Sequence, residues 1–384
     1  METVIRKLNK DDYDALFEVL TKTFENKYKR PVYFDREQPK MWVRDDEHMA
    51  RHTGVFEDGK LVAVIGVYPL PCVIDGEEFL FFTTGNVATL PGHEGRGYFT
   101  KLFDMAMEEI AELSADGARL GGSRQRYGRY GFEGCGQLIR FALSDHNAKY
   151  SENKKSEITL EKIEKDDVDT LKYCYEVMKK KPMYVNRSTV ENYRDMYLAL
   201  TTKSMIPYLA RRSGKPIGYL CISADYREIG EFSAESAQDL FDSVCAVTDF
   251  FWETHISIPP YMTEELRLFY KYADNYDIMT PSRFKLLSYE RLTNRLIKMK
   301  SKYTKLSDFE YTIDIDGKEK ITLYSRSGEC GCRSDGRAAD VKLCGSEAMR
   351  LLFGAPDASL IATLPCEVKA ALPLPLTWST LDYV

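Results

Sequence analysis

At 384 residues the chain has room for two or three domains, and 44% hydrophobic with 29% charged content is the composition of a folded globular protein. A net charge of −6 leaves no basic excess for a nucleic-acid partner, and no apolar run approaches the length of a membrane span. The nine cysteines are scattered and the one close pair, Cys330-x-Cys332, has no histidine beside it, so the sequence predicts no disulfide framework and no metal site, and it suits a reducing cytoplasm; the Met-Glu-Thr start lacks a secretory pattern.

Residues 3–8 read as a strand, and Asn9 to Asp12 supply helix-start chemistry. Tyr13, Leu16, Phe17, Leu20 and Phe24 then recur at helical spacing and predict a core-facing stripe. Residues 25–51 are mixed and carry Tyr33, Phe34, Asp35, Trp42 and a charged run, with His48 and His52 read as surface residues. Two hairpins follow, turning at Asp58-Gly59 and Asp75-Gly76.

The second hairpin leads into residues 85–113, around which the rest is arranged. A β-rich run breaks at Pro91-Gly92, Glu94-Gly95-Arg96-Gly97 forms a glycine-spaced turn, and Phe99, Leu102, Phe103, Ala106, Ile110 and Leu113 lie on one helical face. A strand, a glycine turn and a helix start together present backbone N–H groups to an anion. Gly95 and Gly97 let the backbone approach a polyphosphate closely, and Arg96 adds positive charge. The same residues also read as an ordinary strand-to-helix connection; the spacing is neither the dinucleotide fingerprint nor a P-loop. Residues 118–122 read as the next strand. Tyr127 follows it, where ligands sit in an open α/β sheet, and reads either as a proton donor or as a packed loop tyrosine.

Residues 144–156 are polar and aperiodic, the pattern of a linker. Beyond them the chain repeats: RKLNKDDYDAL at residues 6–16 and EKIEKDDVDTL at residues 161–171 agree at six of eleven positions, offset by 155. Gly59 to Ala63 recurs as Gly214 to Gly218 at the same offset, which predicts a duplicated domain. That shift turns Gly95 to Gly97 into Phe250 to Trp252, so no anion cradle is expected in the copy. After residue 286 come a helix (Leu287, Leu292, Leu296, Met299), a hairpin around Asp316-Gly317 and a helix from Glu347 to Phe353 capped by Ser346 and ended by Gly354. The end, LPLPLTWSTLDYV, is stiffened by Pro373 and Pro375 and offers Trp378 as an anchor.

Val87-Ala88-Thr89 and the glycine turn resemble the coenzyme A-binding turn of the GNAT acetyltransferases, with Glu94 where Arg or Gln is usual and Phe99 where Gly or Ala is usual. Tyr127-Gly128-Arg129-Tyr130-Gly131-Phe132 is similar to one branch of that family, the enhanced-intracellular-survival type. The resemblance implies an α/β (α+β) chain: a catalytic GNAT domain over residues 1–148, a degenerate GNAT-like mixed-sheet domain over 149–285, and a sterol-carrier-protein-like α+β domain over 286–384. It implies acetyl-CoA as co-substrate, held by Val87, Ala88, Thr89, Gly95, Arg96, Gly97, Tyr98, Phe99, Thr100, Gly122 and Ser123. It further implies Tyr127 as the general acid and the Val384 carboxylate as the general base, a tail that also reads as simply docked. Tyr33, Phe34, Asp35 and Trp42 would lie on the acceptor side. The acceptor would be a small-molecule or lysine amine and the assembly a homo-oligomer, a hexamer in that branch. A non-catalytic acyl-CoA- or lipid-binding scaffold is the alternative that Glu94 keeps open.

Overall fold

The computed structural model describes residues 2–149 and 157–382. Most of the expected linker, residues 150–156, and Val384 lie outside the described residues.

The first unit runs β1 (Thr3–Lys7), α1 (Tyr13–Tyr28), α2 (Phe34–Glu37), α3 (Asp46–Met49), β2 (His52–Glu57), β3 (Lys60–Ile74), β4 (Glu77–Thr89), α4 (Tyr98–Glu112), β5 (Gly117–Leu120), α5 (Arg124–Gly128), β6 (Glu133–Cys135), β7 (Leu138–Ser144) and α6 (Asp145–Ala148). Asn9 and Asp12 form a capping box just before α1, which buries Leu16, Val19 and Leu20. Both hairpins turn through an Asp-Gly pair with left-handed φ, 47° and 82° at Asp58-Gly59, 49° and 82° at Asp75-Gly76, the geometry whose twist matches the strands.

The second unit runs β8 (Ile158–Lys162), α7 (Val168–Met178), β9 (Met183–Val185), α8 (Val190–Leu200), β10 (Ile206–Arg212), β11 (Lys215–Ile222), β12 (Glu228–Ala234), α9 (Ala237–Val247), β13 (Glu253–Ile258), α10 (Thr263–Tyr272), β14 (Asn275–Met279) and β15 (Ser282–Leu286). The third holds α11 (Glu290–Ser301), β16 (Phe309–Ile315), β17 (Glu319–Arg326), β18 (Glu329–Arg333), β19 (Val341–Leu343), α12 (Gly345–Phe353), α13 (Ala358–Ala362) and α14 (Cys366–Ala371), and a final turn spans Thr380–Asp382.

Two mixed sheets share one strand order. The first is β1-β2-β3-β4-β5-β15-β6, with β9 on an extension of β3, and the second is β8-β10-β11-β12-β13-β7-β14. The two units therefore exchange strands: β7 pairs with β13 and β14, and β15 fills the slot between β5 and β6. Sheet membership thus crosses the expected limits at 148 and 285. The repeat offset of 155 holds at the starts of β1 and β8 and of β3 and β11. It shrinks to 139 at the starts of α4 and α9, because the β11–β12 hairpin and the turn that follows it are both shorter than their counterparts in the first unit. Phe250 to Trp252 therefore do not stand at the pseudo-equivalent turn; Ala234-Glu235-Ser236 does. That turn contains no glycine.

The third unit wraps a four-stranded sheet, β18-β17-β16-β19, and closes on the first. Trp378 packs edge-on against Phe81 of β4 and Phe284 of β15, both at 5.2 Å between centroids. Each such aromatic pair adds about 0.5–1.5 kcal/mol beyond area burial, so the tail is part of the core rather than a loose end.

Candidate active site

The register of β3 and β4 shifts between Val64 and Gly66, and Asn86 opposite takes a left-handed φ of 52°, a conformation asparagine tolerates better than most residues. β4 and β5 are parallel and pair only from Phe81 to Thr83. Beyond that they part, and a groove of about 1170 Å³ opens between residues 84–89 on one side and 121–123 on the other. The glycine turn closes one end of it, and Phe34 and Tyr127 also line it.

α4 starts at Gly97, whose φ is 78° and which offers no side-chain cap, so the helix's first N–H groups face the groove end. A Cβ at Gly95 or Gly97 would meet no atom within 4 Å, which leaves open space where a pyrophosphate would rest. The residues fit a coenzyme A on this test.

Glu57, at the end of β2, holds that turn. Its carboxylate accepts from His93 Nδ1 at 2.8 Å, Arg96 Nη1 at 2.5 Å and the Tyr98 hydroxyl, while its side chain is 6% exposed. These bonds, Tyr98 foremost, keep the Glu57 carboxyl below its ordinary range. Arg96 and His93 thus serve the turn's shape as well as lining the groove. Glu94 folds back as well, accepting from Gly92 N at 2.6 Å. Further cations come from Arg126 and Arg129, exposed groove-lining residues 5.5 and 5.6 Å from the Phe99 ring centroid.

Tyr127 is buried on α5, 5.4 Å from the Phe103 ring and 6.1 Å from that of Phe99. Gly122 makes room for it: a Cβ there would stand 2.7 Å from the Tyr127 ring. Burial raises the Tyr127 pKa, so its hydroxyl keeps its proton at neutral pH.

A second cavity, about 380 Å³, lies on the other side of β4; Thr83 lines it and Thr84 lines the groove. Its wall includes Lys40, Tyr68, Arg187 and Asp382. Between the two spaces sits a closed network. His52 Nδ1 faces the Met49 carbonyl at 3.3 Å and so carries the proton; Nε2 then accepts from the Tyr68 hydroxyl at 2.7 Å. Burial drives the His52 pKa down to about 4 and the Tyr68 pKa up. The surface reading of His52 is therefore corrected: it is 1% exposed, because its ring satisfies polar groups beneath the β4 bulge. His48 is half-buried too, its Nδ1 2.8 Å from Asp45.

Of the cofactor residues read from sequence, Val87, Ala88, Thr89, Gly95, Arg96, Gly97, Tyr98, Phe99, Gly122 and Ser123 line the groove; Thr100 is exposed on the first turn of α4 outside that lining. Of the acceptor-side residues only Phe34 reaches it. Tyr33 and Asp35 are exposed, and Trp42 packs into the core against Tyr13, Phe17 and Phe34. Sequence reading missed Glu57, whose only signal is an acidic residue closing an otherwise buried strand, and Tyr68, Asn86, Arg126 and Arg129.

Residues 4–135 match the family described as acetyltransferase (GNAT) domain, and that region of the chain is such a domain. No curated protein matches the chain. The fold as a whole is similar to a GCN5-related N-acetyltransferase from Anabaena variabilis ATCC 29413, with TM-score 0.67 and 12% identity over 100% of both chains. It is also similar to a conserved protein of unknown function from Enterococcus faecalis V583, with TM-score 0.66 and 15% identity over 100% of this chain and 97% of that one. Eis1 from Mycobacterium abscessus gives TM-score 0.62 and 14% identity over 98% of each chain. The tandem mixed sheets are thus a GNAT-like architecture, and acyl transfer is the chemistry the matched domain supports.

Proposed function

We propose that the chain is an acetyl-CoA-dependent N-acetyltransferase whose acceptor is a primary amine. The observation that carries this reading is the groove between the parted β4 and β5, which runs from an uncapped, glycine-flanked helix start to the buried Tyr127 hydroxyl. Acetyl-CoA supplies the activated acetyl group. The strand-like backbone of residues 87–89 is suited to hold an extended pantetheine, and the α4 N-terminus, with Arg126 and Arg129 nearby, suits the pyrophosphate. Tyr127 acts as the general acid toward the departing sulfur. We assign the amine to the 380 Å³ cavity beside Tyr68, where Thr83 is the chain neighbour of groove-lining Thr84; the amine attacks the thioester directly, with orientation as the main contribution.

We assign the general base to the Val384 carboxylate. Asp382, two residues earlier, lines the acceptor cavity, and two residues of chain span at most about 7 Å. We read residues 286–384 as sterol-carrier-protein-like, on the four-stranded sheet with helices packed against it. We read the assembly as a homo-oligomer, a hexamer by resemblance: β14 is an edge strand with Tyr276, Ile278 and Met279 exposed, a surface suited to self-association. Among the described residues, no helix is long and apolar enough to cross a membrane.

Thiol release on mixing the protein and acetyl-CoA with a panel of amines tests the reading. Turnover with at least one amine is expected; acetyl-CoA binding without turnover on any would make the chain an acyl-CoA-binding scaffold instead.

A further inference from the structure

The second unit has kept the opening that its counterpart uses as the cofactor groove. β12 and β13 pair in parallel only at Glu228 and Ile229 with His255 and Ile256, then diverge, as β4 and β5 do after Thr83. The space between them is about 460 Å³, and Trp378, Ser379 and Thr380 of the same chain line it. The turn that would receive a phosphate is replaced: Ser236 precedes α9 as its N-cap, and its hydroxyl accepts from Asp239 N.

The segment is held as a ligand would be. The Leu381 side chain reaches within 3.1 Å of where a Cβ on Gly230 would stand, so Gly230 leaves the room it needs. The Ser379 hydroxyl donates to Glu231, and Thr380 Oγ1 donates to the Gly230 carbonyl at 3.4 Å. Arg187 forks onto Glu231 at 2.9 and 2.6 Å and reaches Asp382 Oδ1 at 3.0 Å. All three charged side chains are at most 5% exposed. From the first unit, Lys40 Nζ donates to the Leu381 carbonyl at 2.9 Å. A buried cluster of this kind is a poor stabiliser beside packed apolar residues, but it fixes one arrangement against alternatives. Lys40, Arg187 and Asp382 are also wall residues of the 380 Å³ cavity.

We propose that the second unit is an internal peptide receptor: its cleft binds residues 378–382, and Arg187, through Asp382, positions the wall of the acceptor cavity. The proposal rests on the reading that an amine enters that cavity. Arg187 is a positioning residue, with Lys40 pinning the same turn from the first unit. The device explains why a sheet without its phosphate-binding turn retains parted strands.

The test combines hydrogen exchange over residues 376–382, amine kinetics and acetyl-CoA calorimetry on Asp382→Asn, Arg187→Lys and Ser379→Ala. In Asp382→Asn, exchange over the segment should rise about tenfold or more, and the amine KM should rise about tenfold with acetyl-CoA affinity within about twofold of the parent. Arg187→Lys, which keeps the charge and loses the fork, should fall between Asp382→Asn and the parent in both measures. Ser379→Ala, a milder change that keeps the ion cluster, should raise exchange by a smaller factor in the same segment. Unchanged exchange in all three variants overturns the receptor. Raised exchange with an unaltered amine KM, or with acetyl-CoA affinity falling in parallel, overturns the positioning role. A parent protein that acetylates no amine would instead defeat the functional reading, and the exchange measurement would still decide whether the cleft holds the segment.

Discussion

The side-chain amide of Asn86 donates to the Tyr68 hydroxyl at 2.6 Å, and this one bond joins the walls of two cavities. Asn86 lines the groove assigned to acetyl-CoA; Tyr68 lines the cavity assigned to the amine. Gly66 permits it, since a Cβ there would stand 2.3 Å from the Tyr68 oxygen. The bond ties the β4 bulge, which opens the groove, to the strand that forms the acceptor wall. Tyr68→Phe leaves buried Asn86 without that acceptor and His52 without that donor. Denaturant unfolding should show a loss of about 1–3 kcal/mol, and kcat should fall with little change in acetyl-CoA affinity. A variant as stable as the parent would show that the network carries no strain of the bulge.

His52 gives the fold a pH dependence whose sign is fixed. Its pKa falls from an ordinary 6.5 to about 4 on burial, so the unfolded chain binds the extra proton first. The stability its neutral form contributes is whole above about pH 6.5 and is lost as pH falls toward about 4. The loss is on the order of 3 kcal/mol. His52→Gln, which cannot titrate, should flatten this part of a stability-against-pH curve measured by urea unfolding between those limits.

Tyr127→Phe should lower kcat by about 10²–10⁴-fold, the range of general acid catalysis, and leave acetyl-CoA affinity nearly unchanged because the ring still packs against Phe99 and Phe103. Steady-state kinetics beside calorimetry measures both. A fall in kcat of less than about tenfold would remove Tyr127 from the acid's role.

Glu57→Gln should loosen the glycine turn. His93, Arg96 and Tyr98 lose a charged acceptor, and acetyl-CoA affinity should drop about tenfold or more, as expected when charge-assisted bonds are lost. Since those bonds depress the Glu57 carboxyl, the parent should lose affinity only as pH falls below the ordinary carboxylate range, whereas the variant should be weak at neutral pH already. Titration of acetyl-CoA at neutral and acidic pH distinguishes the two.

Local patterns were legible and long-range ones were not. The Asp-Gly hairpins, the α4 stripe and the Gly95–Gly97 turn each announce themselves within a few residues, and the structure has them where the sequence predicts, save that Leu113 of the stripe caps α4 and is exposed. The shared offset at Gly59 and Gly214 matches the starts of β3 and β11, but it misplaces the second turn because a shorter hairpin and a shorter turn reset the count. The exchange of β7 and β15 between sheets has no local signature: β7 is largely apolar and β15 alternates buried Ser282, Phe284 and Leu286 with Arg283 and Lys285, and either pattern would suit either sheet. His52 looked like a surface residue because nothing near it in sequence predicts Tyr68 and Asn86, which come from the next two strands. Trp42 is conspicuous as an aromatic, yet it packs with Tyr13 and Phe17, whose helical spacing marks them as core-facing.

The central claim is that one acetyl-CoA binds per chain, in the groove of the first unit, with its phosphates at the α4 start. Calorimetric titration of the parent and of Gly97→Trp tests it most directly. The account predicts one site per chain in the parent and no measurable binding in the variant, where a large side chain at a φ of 78° would both strain the turn and fill the cradle. Two equivalent sites in the parent, or binding that survives Gly97→Trp, would contradict it.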